Sequence, residues 1–333
     1  MIIDAWWFKN EQKSEDILQA DWFMPRSHFS VFFEIQDYQN IFPTKLSVSA
    51  SIKDTAIFSK TYTLCSWKNT KNYEILHKGN SILFTGFVDN VFGLPDTIRI
   101  ECKTPSKKYS KTIALSYARI KGKTTDFDGN AFPAAIVFMR KLYGGRTPCL
   151  GVWSNMNGEY SILIPTGKYD AFYVDDNSYN ISTLENWSWN IIVEKDETYD
   201  FKIGNAEIYD LSAKKENDCL YLSFRPMVMT SMRYEESEIV IDSETYSFIN
   251  IQPDIALENI SVFVEGQSIT VSNMERTYAT FFDKDRKVAL IVYNIKAKLP
   301  FSIRNKALII LEYKTANRYK ACSQGRTQLY TAN

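Results

Sequence analysis

Apolar and polar residues alternate with a period of two along most of this chain. That period admits pleated strands and little else. Leu46, Val48, Ala50 and Ile52 are separated by Ser and Lys-bearing positions, and Ile98, Ile100 and Cys102 repeat the pattern. Alternating or apolar runs at 28–35, 56–63, 73–77, 81–88 and 110–120 bring the region 27–117 to about seven strands, the number of an antiparallel immunoglobulin-like sandwich. Lys78-Gly79-Asn80 suits the turn of a hairpin. The aromatic share of 14% agrees, because Tyr, Phe and Trp fit half-buried sheet surfaces.

The same signal returns near the C-terminus. Runs at 218–224, 238–241, 245–249, 260–264, 268–272, 277–282, 287–293 and 307–313 read as strands. Polar turns such as Asp242-Ser243-Glu244 and Asp283-Lys284-Asp285-Arg286 join them. No helix of convincing length is predicted. The expectation is an all-β chain of three consecutive sandwiches, with domains at 27–117, 118–205 and 206–333. Residues 1–26 are expected to form an aromatic N-terminal extension, weakly helical over 11–20, that packs Trp6, Trp7 and Trp22 against a neighbouring domain. No low-complexity linker separates the domains, so they are expected to abut.

The sharpest order of residues lies at 118–205. Asp126-Phe127-Asp128-Gly129-Asn130 gives a turn, and Pro133-Ala134-Ala135 is followed by the apolar alternation of Ile136 and Phe138. Asn157-Gly158-Glu159-Tyr160 gives a second turn, then come Ile162, Ile164, Pro165-Thr166-Gly167 and Tyr169. Glycine accepts the backbone angles such turns need. In this order the segment resembles the carboxypeptidase regulatory-like domain, with Ala134 and Asn157 departing from the family's Gly and Asp. The resemblance covers about 90 residues and implies a prealbumin-like (transthyretin-like) sandwich there, while the alternation leads us to expect immunoglobulin-like sandwiches on either side. Its motif residues are structural, so it implies no catalytic residue.

Several chemistries are poorly served. The 39 basic and 39 acidic residues balance, so the basic surplus of a general nucleic-acid binder is missing. No apolar run approaches the length of a membrane-spanning helix. Met1–Asn10 lacks a basic leader, so a cytoplasmic protein, or a trimmed surface or secreted one, is expected. Five cysteines without a Cys-x-x-Cys pair suggest reduced thiols, with neither a disulfide framework nor a zinc site. The two histidines, His28 and His77, have Val31 and Asn80 three residues on, not the glutamate of a zinc peptidase. Asp126-x-Asp128-Gly129 reads as a turn rather than a calcium loop, and Asp175-Asp176-Asn177 as a solvated acidic loop.

No cofactor or metal is therefore expected, and no catalysis. The expected role is a non-catalytic binding or structural module with carbohydrate or another protein as partner. A carbohydrate site would use Trp153, Tyr173, Trp187 and Trp189, with Tyr179 nearby, because an apolar sugar face matches an aromatic ring. Trp187 and Trp189 share strand parity and would face one side. The competing reading packs that face against a neighbouring domain. A third reading is a self-assembling surface or particle component that uses sheet edges or the aromatic N-terminus.

Overall fold

A computed structural model of the protein describes residues 2–8, 27–34, 42–66, 68–78, 81–88, 93–142, 145–299, 301–303 and 305–330. The expected helix at 11–20, Trp22, Gly79 and Asn80 lie outside them, as do the side chains of Trp7, His77 and Cys149. The chain is all-β, as the alternation predicts. Among the described residues the helical exception is the short 3-10 turn Leu257–Asn259.

The first sandwich holds β1 (Ile2–Phe8), β2 (His28–Glu34), β3 (Thr44–Ile52), β4 (Thr55–Leu64), β5 (Tyr73–Lys78), β6 (Ser81–Phe87), β7 (Thr97–Lys103) and β8 (Lys108–Ala114). Its two four-stranded sheets run β1-β2-β6-β5 and β4-β3-β7-β8. Phe29, Phe84, Leu46, Ile98 and Tyr62 pack between them. Buried His28 is a packing residue here. The expected extension is corrected at its start. Ile2–Phe8 pairs along its whole length with His28–Glu34 as an edge strand of this sandwich. Alternation could not reveal it because both of its faces are covered. Ala5 joins the first core, whereas Trp6 joins the core of the next unit.

The central unit holds β9 (Tyr117–Thr125), β10 (Ala135–Leu142), β11 (Gly145–Trp153), β12 (Glu159–Pro165), β13 (Gly167–Asp175), β14 (Asn186–Val193), β15 (Glu197–Thr198) and β16 (Phe201–Lys202). One sheet runs β12-β9-β15, with β16 also on β9, and β11-β10-β13-β14 faces it. Phe138, Tyr169, Phe172, Ile120 and Ile162 fill the space between. Asp126 closes its turn by accepting the backbone N–H groups of Asp128 and Asn130 at 2.9 and 2.8 Å. Asn155 does the same for Asn157 and Glu159, both at 2.9 Å.

The C-terminal unit adds β17 (Ala206–Glu216), β18 (Cys219–Val228), β19 (Glu235–Ile241), β20 (Glu244–Asn250), β21 (Ile260–Val264), β22 (Gln267–Ile269), β23 (Val271–Asp283), β24 (Arg286–Lys298), β25 (Lys306–Lys314) and β26 (Cys322–Tyr330). One sheet runs β17-β18-β24-β20-β19, with β23 on the other edge of β24. The remaining strands do not close a sheet of their own. β26 pairs in parallel with β14, Trp187 opposite Gly325 and Trp189 opposite Thr327. The central sheet thereby continues into one of eight strands, β11-β10-β13-β14-β26-β25-β21-β22. The last two units thus share a sheet instead of merely abutting. An unpaired β14 edge would expose a row of backbone donors and acceptors, and β26 covers it.

Candidate functional site

The seam between these two units gathers the aromatic residues that the sequence marks. β14 places Trp187 and Trp189 on one face, and their rings stack at 4.7 Å with planes 9° apart. Tyr173, on the neighbouring β13, stacks on Trp187 at 5.0 Å. Tyr209, from β17 in the opposite sheet, meets both indoles edge-on at 5.4 and 5.1 Å. Trp187 and Trp189 are only 7% and 3% exposed, and Tyr173 and Trp153 are buried in the same core. A sugar ring needs an open aromatic face, and these faces are filled by one another and by β17. The expectation of an exposed aromatic platform is thus corrected: the face is an interdomain contact, which suits large apolar rings better than water does. Tyr179 is the exposed member of the group.

Carboxyl groups border this aromatic stack. Glu185 accepts the Trp187 indole N–H at 3.1 Å. Burial, and then the charge of Asp175, push its carboxyl up to about 7. Burial also raises Asp175. Glu207 is buried, and its Oε2 has no hydrogen-bond partner among the described residues. Burial first, and Glu185 second, hold its carboxyl well above the usual range. Asp176 is satisfied within its loop by the Ser178 N–H and by the hydroxyls of Ser178 and Thr183. Among the described residues no group of three His, Cys, Asp or Glu side chains is set to hold a metal ion.

β26 completes the seam with polar side chains. Gln328 Oε1 accepts the Ile192 N–H at 2.7 Å, and Gln328 Nε2 donates to the Tyr199 hydroxyl at 3.2 Å. Gln324 Oε1 accepts the Lys202 N–H at 3.4 Å. Arg326 lies over the Phe201 ring, 4.7 Å from its centroid, and donates to the Asp200 carbonyl. Burial lowers its guanidinium to about 10. Sequence reading missed these residues, because buried polar side chains break the apolar alternation it follows.

Three surface clefts stand apart from the seam, and none is lined by Asp175, Glu185 or Glu207. One surrounds Arg233, whose charge Asp254 and Glu235 already match at 2.9 and 3.1 Å. A second is a shallow hollow with ion pairs Arg286–Glu236 and Lys287–Glu244 on its walls. The third lies between the first and central units, beside Arg140.

One further feature faces solvent. β23 spans 13 residues, is exposed over most of its length, and pairs only with β24 among the described strands. Tyr278, Phe281 and Phe282 on it are exposed.

No family model matches the sequence, and no curated protein matches it. Among solved structures, the chain overlaps a "putative carbohydrate binding protein" from Bacteroides uniformis at 12% identity and a TM-score of 0.23, covering 64% of this chain and 99% of the other. It overlaps a DUF3823 family protein from Parabacteroides merdae at 10% identity and a TM-score of 0.22, covering 64% and 98%. The major pilin subunit of Bacillus cereus overlaps at 8% identity and a TM-score of 0.21, covering 65% and 69%. Overlaps this loose assign no function.

Proposed function

We propose that this chain is a non-catalytic structural module that assembles with a second copy of itself, edge to edge, through β23. The supporting observation is the length and exposure of that edge. At 13 residues, β23 is more than twice the usual strand of about 5–6 residues. It carries no Pro and no Lys, the residues that commonly blunt a free edge. Pairing about its midpoint sets Thr277 opposite Thr277 of the second copy and Arg276 opposite Tyr278, with no like charges in direct register. The shared eight-stranded sheet gives such an assembly a stiff body behind the edge.

Light scattering after size exclusion tests this reading. The wild-type chain is expected at twice its own mass at micromolar concentration. Thr277→Lys, which sets two ammonium groups opposite each other, is expected to be monomeric, and Thr277→Val to remain dimeric. A monomeric wild type, or a Thr277→Lys variant that assembles as well as wild type, defeats the proposal.

We also infer that the central unit is a carboxypeptidase regulatory-like module of prealbumin type. Its strands divide into two facing sheets around the Asp126 and Asn155 turns, as that resemblance requires, and this supports the reading. Its role here is to hold the flanking units rather than to present a reactive group.

A further inference from the structure

The cleft between the first and central units holds a buried cation, Arg140, that forms no ion pair among the described residues. Arg140 on β10 is 7% exposed, and no carboxylate pairs with it among the described residues. Its guanidinium lies over two aromatic rings, 4.6 Å from the Trp6 centroid and 4.5 Å from that of Tyr169. Such contacts offset part of the cost of taking the charge out of water. Its N–H groups point outward from the edge of the guanidinium plane. Nε is shut from solvent and has no acceptor, and Nη2 reaches the Thr166 carbonyl at a long 3.4 Å.

Gly167 keeps that edge open. A Cβ there would stand 3.6 Å from Nη2 and 3.8 Å from Nη1, and the residue's φ of +123° is one that side-chain-bearing residues rarely adopt. Beyond the edge opens a cleft of about 620 Å³, whose wall includes Ser116, Thr166, Lys168 and Asn190. These side chains supply hydroxyl, amide and ammonium groups around one buried positive charge. Asp170 on the same wall disfavours a multiply charged anion.

We propose that this cleft binds a single carboxylate group, seated edge-on against Arg140. A planar guanidinium held against aromatic rings presents two N–H groups in one plane, which matches the two oxygens of a carboxylate. The carboxylate could be carried by an acidic sugar or by the C-terminus of a peptide, and the test separates the two.

The full chain is titrated by calorimetry with sodium glucuronate and with N-acetylglycylglycine. Methyl glucoside and N-acetylglycylglycinamide serve as uncharged counterparts. At least one carboxylate probe is expected to bind with a Kd of about 1 mM or tighter while its neutral counterpart does not, and the arm that binds names the source. Arg140→Met is expected to weaken that binding by at least about tenfold. Because Arg140→Met removes a packed side chain, the wild-type protein supplies an independent readout: the Arg140 Nε–H resonance should shift on titration with the binding probe. Absence of binding by both carboxylates at about 20 mM, equal binding of the neutral counterparts, or an unmoved Arg140 resonance would overturn the assignment.

Discussion

Stability of the joined central and C-terminal units should fall as pH rises from 4.5 to 7, and Glu185 is the group that sets this slope. Its carboxyl titrates near 7 in the folded protein against an unperturbed 4.5. Below 4.5 both the folded and unfolded chains hold the proton. Between 4.5 and 7 the unfolded chain releases it and the folded chain keeps it, so rising pH favours unfolding. The loss is about 1.4 kcal/mol per pH unit, or ~3 kcal/mol across the window, and it is complete above 7. Glu207, also raised, acts in the same direction. Exposed carboxylates held low by partners, such as Glu101 beside Arg99 and Glu235 beside Arg233, act oppositely, but their stabilisation is lost only as pH falls below the window. Urea unfolding followed by tryptophan fluorescence at half-unit pH steps measures the curve. Glu185→Gln keeps an acceptor for the Trp187 N–H and carries no proton to lose. It should match wild type at pH 4.5 and exceed it by ~3 kcal/mol at pH 8. A Glu185→Gln curve that runs parallel to wild type from 4.5 to 7 would refute the reasoning.

Two smaller tests probe the seam and the central turn. Gly325 lies so close to β17 that a Cβ would come within 2.6 Å of Ile208 Cγ2 and 2.9 Å of its Cβ. Gly325→Ala should therefore cost ~1–3 kcal/mol in urea unfolding, and an unchanged midpoint would mean that β17 and β26 do not approach this closely. Asn155→Ala removes an acceptor shared by two backbone N–H groups and should cost ~1 kcal/mol, visible as a lower Tm, whereas Asn155→Asp should hold near wild type.

The legible parts of this chain are those where one face meets a core and the other meets water. β3 and β7 could be read residue by residue because Leu46, Val48, Ala50, Ile98 and Ile100 are buried while their neighbours are not. The Asp126 turn was legible for a local reason, since its hydrogen bonds lie within five residues. β17 was missed because its register against β18 shifts between Tyr209 and Ser212, and a shift of one residue reverses which side chains face inward. Trp187 and Trp189 were placed on one face correctly. What covers that face lies at Tyr209, and local alternation carries no information about so distant a neighbour.

β26 shows the physical limit of period-two reading. Ser323, Gln324, Arg326, Thr327 and Gln328 are all buried, yet none is apolar. Each buried polar group costs free energy unless it finds a partner, so such a strand is stable only against a surface that supplies those partners in register. The central unit supplies partners to Gln324, Arg326 and Gln328 at Ile192, Tyr199, Asp200 and Lys202. An apolar β26 would bury against many surfaces equally well. Gln328 and the Nη2 of Arg326, by contrast, find their partners in this alignment, and sliding the strand by two residues would take both away from them. The polar letters that hid this strand from the sequence are thus the ones that fix how the last two units join.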